Sequence, residues 1–386
     1  MANIFMHYSC IESQKRRCEM KQSIVILLIS CSLLLIGCTE ESKRTSIEDL
    51  GMVSSIAFDV ANDKEMKMTV SVPHPTTELP KNTQTYSVDT QLIQEGLVKV
   101  SSQADKMIIL NQLRTLLFSE ELARNGKVAE VIEHFYRNST VGNNVRIAIV
   151  KDRAEDFLKA EFPDKPNIDT YLNDLLQPAH HTSFSPFTTL HDFQYSESNP
   201  IYFSMTPYLE LEKESFKIAS VALFDRGKML DTISTKEALI VQALIGKGKL
   251  PPLAIKLDEP SDKEQLQIQL VKNKVKITGN RNIEAPKLKI ALNLQGTLYE
   301  YKGDKDLGKI KEYKELETEV SKYVKKDVED VIKKLQELEV DPVGFSEYFR
   351  MYHKGRWTEE LSKKIMVSGD FKVTVDFKLL NTGALK

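Results

Sequence analysis

The sequence predicts an α+β fold of three mixed α/β domains, with a long helix packed on an antiparallel sheet in the last one. Segments with alternating apolar residues and segments with helical periodicity follow one another between residues 56 and 160, which is typical of mixed layers. A hairpin pattern follows at 216–233, and a continuous apolar stripe runs along 311–338. We therefore place the domains at 47–200 (with a linker at its end), 201–260 and 261–386.

The first predicted domain opens with a hairpin. Apolar and polar residues alternate strictly along 56–60 and 66–72, with a turn at Asn62-Asp63. Alternation with period two predicts half-buried strands with one face in water. Ser119 as N-cap and Gly126 as the C-terminal stop define the clearest helix. The remaining predicted elements are strands at 85–88, 107–110 and 145–150, helical spacing from Leu92, and helices at 128–135 and 154–160. The strand at 107–110 leads into an apolar run at 116–118.

Turn signals and periodicity define the second and third domains. Residues 179–200 have little periodicity and many Ser, Thr and Pro, which indicates a linker or a crossing loop. The turn Asp225–Lys228 joins two hairpin strands, and a helix at 235–245 ends at Gly246. A strand at 371–379 completes the last sheet. Apolar residues at steps of three and four predict a helix roughly 40 Å long: Leu316, Val320, Tyr323, Val324, Val328, Val331, Leu335 and Leu338.

The first 37 residues have the features of an export signal. The apolar stretch from Ser23 to Gly37 is too short to span a bilayer comfortably, because a transmembrane helix needs about 20 apolar residues. Met20 also begins an ordinary signal-peptide pattern, so the sequence is compatible with a translation start at Met1 or at Met20. We predict that residues 1–37 are a signal peptide. Four basic residues precede its apolar core: Lys15, Arg16, Arg17 and Lys21.

Cys38 is the predicted lipid-attachment site. It ends the lipobox Leu35-Ile36-Gly37-Cys38, and its thiol would take a diacylglyceryl group, for which no other side chain can substitute. Each buried methylene contributes about 0.8 kcal/mol, so two acyl chains hold a protein on a membrane where one is marginal. Residues 38–46 form a polar tether. The alternatives are an uncleaved anchor helix or a free cysteine in a plain signal peptide.

The mature chain left by this cleavage has 349 residues and a formal charge of −4, from 49 basic and 53 acidic side chains. A slightly acidic chain argues against nucleic acid as a partner and against a polybasic membrane patch. Cys10, Cys18 and Cys31 all lie before the cut. The mature protein therefore has no second cysteine and no disulfide.

The sequence contains no convincing catalytic, cofactor or metal site. Gly303–Lys309 fits the pattern of a phosphate-binding loop, but Ile310 follows where Ser or Thr should bind Mg²⁺. His180, His181 and His191 lie in one segment without a recognised zinc-ligand spacing, so surface or capping roles are the better interpretation. No G-x-S-x-G motif is present. We predict no catalytic residue, no cofactor and no metal.

Several short motifs occur in the order found in one family. In chain order they are Leu50–Ile56 with Asp59, Glu121–Gly126, Arg137, Ile218–Phe224 with Lys228, then Asp341, Gly344, Tyr348-Phe349 and Trp357, and finally Gly383. On these residues the chain resembles the Ger(x)C family, the lipoprotein C subunits of nutrient germinant receptors in spore-forming bacteria. Two departures concern the middle hairpin, where Ser220 replaces a usual Gly and Met229-Leu230 replace Val-Gly.

The resemblance implies three mixed α/β domains and a non-enzymatic subunit of a nutrient germinant receptor. It implies two integral membrane partners, an A-type and a B-type subunit, and a lipid anchor on the outer face of the spore inner membrane of a Gram-positive bacterium. The family has no established active site whose residues could be matched to positions of this sequence. Trp357 and the exposed side of the long helix are candidate contact surfaces, with a local core role as the alternative for Trp357.

Two other functional classes remain open at this point. A solute-binding lipoprotein that captures a nutrient for a transporter is the first alternative. Such a protein needs two similar lobes around a cleft, whereas this sequence predicts three dissimilar units. An exported hydrolase is the second, and the lack of catalytic motifs argues against it.

Overall fold

The computed structural model describes residues 46–73, 83–177, 187–248, 250–257 and 264–381. The strands are β1 (Leu50–Met52), β2 (Ser55–Val60), β3 (Met66–Pro73), β4 (Thr83–Thr90), β5 (Met107–Ile109), β6 (Thr115–Ser119), β7 (Arg146–Val150), β8 (Thr188–Thr189), β9 (Met205–Leu211), β10 (Phe216–Asp225), β11 (Lys228–Ser234), β12 (Leu253–Lys256), β13 (Gln265–Gly279), β14 (Lys287–Lys302) and β15 (Asp370–Asn381). The helices are α1 (Ile93–Gln103), α2 (Glu120–Arg124), α3 (Val128–Arg137), α4 (Ala154–Lys159), α5 (Ile168–Leu176), α6 (Leu190–Ser198), α7 (Thr235–Ile245), α8 (Ile310–Glu337), α9 (Glu347–Arg350) and α10 (Glu359–Ser368). The mixed α/β fold predicted from the sequence is confirmed.

The larger sheet has a parallel centre and antiparallel hairpins on both sides. Its order is β11-β10-β9-β7-β6-β2-β3-β4, with the two-residue strand β8 paired to β7. The neighbours β2, β6, β7 and β9 run parallel, while β3-β4 and β10-β11 extend the two sides as antiparallel pairs. Parallel centres of this kind are covered by helices on both faces.

Burial on both faces overturns the expectation that the first hairpin has one face in water. Ile56 and Phe58 of β2 point into a core shared with α2, α3 and α6, whereas Ala57 faces α4 and α5. Polar residues of β2 and β3 are therefore buried as well, among them Ser55, Asp59, Thr69 and Ser71. The alternation of apolar and polar residues in this hairpin therefore arises from two faces that are both covered by helices, one more polar than the other.

The segment expected as a separate middle domain has no sheet of its own. Strand β9 pairs in parallel with β7, so the β9-β10-β11 meander continues the larger sheet. On β10, Ala222 and Phe224 pack into the N-terminal core, while Val221 and Leu223 pack with the C-terminal sheet and α8. One strand thus serves two cores, which periodicity along the chain cannot reveal.

The C-terminal layer is a four-stranded sheet of order β12-β13-β14-β15. The first three strands are antiparallel as predicted, but β15 joins β14 in parallel. Helix α8 covers one face with the predicted stripe, including the fully buried Leu316, Val324 and Val328. It also covers the outer edge of β15, where the N–H groups of Phe377 and Leu379 donate to Ser321 Oγ (3.0 Å) and Glu317 Oε1 (2.8 Å). An edge covered in this way is protected from pairing with other chains.

Part of the predicted linker at 179–200 is helical. Helix α6 spans Leu190–Ser198 and begins with a capping box between Thr189 and Asp192. Leu190 and Phe193 are fully buried against the larger sheet. The helix carries only these two buried residues in nine, so its apolar periodicity is weak and its caps are the stronger signal.

Candidate functional site

The predicted site residues fall partly outside the structure. Cys38, His180 and His181 lie outside the described residues. His191 is described and is exposed on α6, with its ring 6.3 Å from that of Tyr136 and 6.5 Å from that of Tyr195. Within the described ranges, no group of three or more His, Cys, Asp or Glu side chains is arranged to hold a metal ion.

The loop Gly303–Lys309 is a turn held by ion pairs between its lysines and nearby carboxylates. Lys305 Nζ lies 2.7 Å from Glu264 Oε1 and 2.8 Å from Glu319 Oε2. Its pKa is raised because these two carboxylates outweigh the effect of burial. Asp306 Oδ1 accepts a hydrogen bond from the N–H of Gly308 (3.0 Å). Lys309, which holds the lysine position of the phosphate-loop pattern, lies 3.1 Å from Glu312 Oε1. Both lysines of the loop are thus paired with protein carboxylates, and the pattern is explained as a structural turn.

Asp59, a motif residue near the start of the chain, binds a helix terminus. Its carboxylate accepts the N–H groups of Ala154 (2.6 Å) and Glu155 (2.9 Å), the first two residues of α4. These are donors that a helix cannot satisfy internally. Burial raises the pKa of Asp59 in spite of these two donors. The residue fastens α4 to the centre of the sheet.

The motif Glu121–Gly126 forms a corner between α2 and the edge strand β11. Ser119 caps α2, and Gly126 has a φ of +76°, which favours glycine. Arg124 Nη1 donates to the carbonyl oxygen of Leu230 (2.8 Å). Nearby, a Cβ added at Gly227 would lie 2.3 Å from the Cβ of Ala129, so the β10-β11 turn packs directly on α3.

Arg226, within that turn, joins the larger sheet to the C-terminal helices. Its guanidinium donates to the carbonyl oxygens of Glu197 (2.7 Å) and Asn199 (3.1 Å) and to Glu359 Oε2 (2.6 Å). Burial would raise the pKa of Glu359, but hydrogen bonds from Arg226 and Lys363 outweigh it and the pKa is lowered. The sequence predicts a turn here but not the ionic contacts of Arg226. In the structure Arg226 has a φ of +46°, which is uncommon for a residue other than glycine.

Trp357 lies beside this ionic cluster and is 8% exposed. Its indole N–H donates to Ser362 Oγ (2.7 Å), and Ser362 Oγ donates to the carbonyl oxygen of Pro200 (2.7 Å). A buried tryptophan with a satisfied N–H is a packing residue. Of the two interpretations, the local core role is the one that fits this geometry.

A polar groove of about 530 Å³ opens between Trp357 and the Arg226 turn. Exposed Arg356 and Glu360 stand at its rim, next to the Arg226–Glu359 ion pair. On its floor, Arg226 Nε and Glu359 Oε2 form an ion pair at 2.6 Å. The groove is suited to contact with another polypeptide through charge pairing. Its lining is Glu197, Ser198, Pro200, Arg226, Arg356, Trp357, Thr358, Glu359 and Glu360.

Asp341 organises the loop after α8. It is fully buried, and its carboxylate accepts the N–H groups of Gly344 (2.7 Å), Phe345 (2.9 Å) and Ser346 (2.8 Å). Burial raises the pKa of Asp341, opposed by these donors. Gly344 has a φ of +82°, and an added Cβ would lie 2.5 Å from the ring of Tyr202. The Asp341–Gly344 motif thus shapes a loop that packs against Tyr202.

A second cleft, of about 700 Å³, lies at one end of the larger sheet. Its polar groups come from Arg114, Asn144, Asn173, Asp174 and Gln177. It lies between α5 and the loop before β7, within a single sheet-and-helix layer. It is therefore not the cleft between two similar lobes that a solute-binding protein requires.

Two family models of spore germination proteins match the chain, one after the other. The family model for the spore germination protein N-terminal domain matches residues 43–211, and the model for the spore germination B3/GerAC-like C-terminal domain matches residues 219–383. The chain belongs to the Ger(x)C family. The resemblance seen in the sequence motifs is thereby confirmed, and this Ger(x)C protein has a role in spore germination.

Curated relatives and one solved structure agree with this assignment. The spore germination protein GerQC of Bacillus cereus is 26% identical over 94% of this chain and 99% of its own length. Spore germination protein B3 of Bacillus subtilis (strain 168) is 25% identical over 92% of this chain and 96% of its own. The crystal structure of the GerBC protein matches with a TM-score of 0.55 at 20% identity, covering 84% of this chain and 97% of that one. The last likeness shows a shared fold.

The described helices include none that is both long and apolar enough to cross a membrane. Helix α8 has the length, at 28 residues, but its exposed side is charged.

Proposed function

We propose that this Ger(x)C protein is the lipoprotein C subunit of a nutrient germinant receptor. It works beside an A-type and a B-type integral membrane subunit on the outer face of the spore inner membrane. The observation that carries the proposal is the match to both family domains, in order, over 43–211 and 219–383. The lipobox ending at Cys38, upstream of both matched regions, supports the membrane location.

A role through contact is supported by how the polar motif residues are used. Asp59, Asp341 and Arg226 bind backbone groups or one another and hold loops and helices in place. A subunit of this kind acts by holding or biasing its partners. The lipid would keep it beside the membrane subunits and raise its effective concentration there. The rim of the Trp357 groove and the exposed side of α8 are the contact surfaces we propose.

Deletion of the gene should abolish the response of spores to at least one nutrient, while growth and sporulation proceed normally. A receptor subunit is needed only for sensing, so germination by agents that bypass nutrient receptors should be unchanged. The measurement is the loss of optical density of purified spores after nutrient addition. A deletion strain without another receptor of this class that answers every nutrient at the wild-type rate would contradict the proposal.

Cys38→Ala should prevent lipid attachment, because only the Cys38 thiol follows a small residue at the end of the apolar core. We expect no incorporation of labelled palmitate, and a protein that is either released from membranes or left unprocessed. Cys31→Ala, within the apolar core, is the matched control and should still be labelled. Mature-sized Cys38→Ala protein that stays in the membrane fraction would exclude this assignment.

A further inference from the structure

The C-terminal sheet has one face packed on the core and one face open. Along β13, β14 and β15, buried residues such as Ile290 and Val373 alternate with exposed ones such as Lys289 and Lys372. The register places the exposed positions of the three strands side by side: Thr278 pairs with Lys289, and Lys289 with Lys372. Helix α8 lies on the opposite face. We call the open positions the lysine face: 272, 274, 276, 278, 287, 289, 291, 293, 295, 370, 372, 374, 376 and 378.

The lysine face is strongly basic. Seven of its positions are lysine and two are aspartate, Asp370 and Asp376. Lys378 lies 3.8 Å from Asp376. In the part of the chain that the structure describes, none of the other lysines has a carboxylate within ion-pair distance; they are Lys272, Lys274, Lys276, Lys287, Lys289 and Lys372. The slightly acidic charge of the whole chain argues against a basic patch only if charge is evenly spread, and here it is not.

The chemistry of the lysine face fits an anionic lipid surface better than a protein. Same-face residues on a strand are about 7 Å apart and strands about 4.8 Å, so the charges cover a flat patch of roughly 27 by 10 Å. The fourteen named positions include no arginine and no aromatic residue, and the exposed Tyr299 lies further along β14, beyond them. Protein interfaces are enriched in arginine and aromatic residues and depleted of lysine. Lysine is a flexible point charge that suits a diffuse layer of phosphate groups.

We propose that the lysine face docks this protein onto anionic phospholipid headgroups. The inference rests on the membrane location proposed above and adds an orientation to it. With the sheet lying on the bilayer, α8 on the other side of the sheet faces away from the lipid and is free for a protein partner.

The test uses the chain from Thr39 to Lys386, which keeps every described element and lacks the lipid-attachment cysteine. It is sedimented with vesicles of phosphatidylcholine, with or without phosphatidylglycerol. We expect binding only to the vesicles that contain phosphatidylglycerol, weakening as salt is raised. Replacing three face lysines should weaken binding about 100-fold, from roughly fivefold for each lysine; the variant is K274Q/K276Q/K289Q.

The matched control removes the same charge from the exposed side of α8 as K314Q/K322Q/K326Q, and should bind like the unsubstituted chain. Equal circular dichroism spectra and melting temperatures establish that both variants fold. Binding that is insensitive to salt, or equal for the two variants, would overturn the proposal. So would a chain that ignores vesicles but binds polyglutamate, which would favour an acidic protein. Because Cys38 is absent from this chain, a negative result leaves the deletion test and the acylation test unaffected.

Discussion

Val324→Pro should lower the free energy of unfolding by about 3 kcal/mol or more and reduce spores to the response of a deletion strain. Val324 is fully buried near the middle of α8, a helix that covers both a face and an edge of the C-terminal sheet. Proline there removes a helix hydrogen bond and clashes with the preceding turn. Urea unfolding of the purified protein gives the free energy, and the optical density of spores gives the response.

Val324→Ala is the control that separates the backbone effect from loss of packing. It removes two buried methyl groups, each worth about 0.8 kcal/mol, and leaves the helix intact. We expect a smaller loss of stability and spores that still answer the nutrient. If the proline variant unfolds at the same urea concentration as the alanine variant, α8 does not contribute to stability as described.

Asp341→Ala should cost about 2–6 kcal/mol, because two buried N–H groups lose the carboxylate that accepts them and each unsatisfied donor costs about 1–3 kcal/mol. These are the N–H groups of Phe345 and Ser346. The N–H of Gly344 still has the carbonyl oxygen of Asp341 at 3.3 Å. Urea unfolding, monitored by the fluorescence of Trp357, measures the change.

Asp341→Asn is the conservative comparison for this site. It keeps one oxygen that can accept from Gly344 and Phe345 but turns an NH₂ group toward the N–H of Ser346. We expect an intermediate loss of stability. A wild-type unfolding midpoint for the alanine variant would mean that the loop does not depend on the carboxylate.

Elements with local signals could be predicted from the sequence. The hairpin turn at Asp225–Lys228, the helix ended by Gly246 and the long helix lie where periodicity and capping place them. Helix α8 is displaced by one residue at each end from the predicted 311–338. Each of these signals acts within a few residues of the chain, so tertiary contacts do not change it.

Features that depend on distant contacts could not be predicted in this way. The sequence analysis predicts no helix at Ile168–Leu176, where α5 covers one face of the larger sheet. Nothing local distinguishes a strand with one covered face from β2, whose polar residues are buried against α4 and α5. The motif residue Asp59 is visible in the sequence, but the N–H groups that it accepts belong to Ala154 and Glu155, which lie 95 and 96 residues away. Only the structure brings them together.

The shared strand β10 has a consequence for how the molecule comes apart. The two family regions meet between residues 211 and 219, which is inside the antiparallel pair of β9 and β10. If the molecule separated at that point, β10 would lose its pairing with β9. Both cores would then be exposed, because alternate side chains of β10 pack into each of them. The boundary between the two family regions is therefore not expected to separate two parts of the molecule that unfold independently. Because β10 contributes to both cores, we expect the two sheets to unfold together in a single cooperative transition.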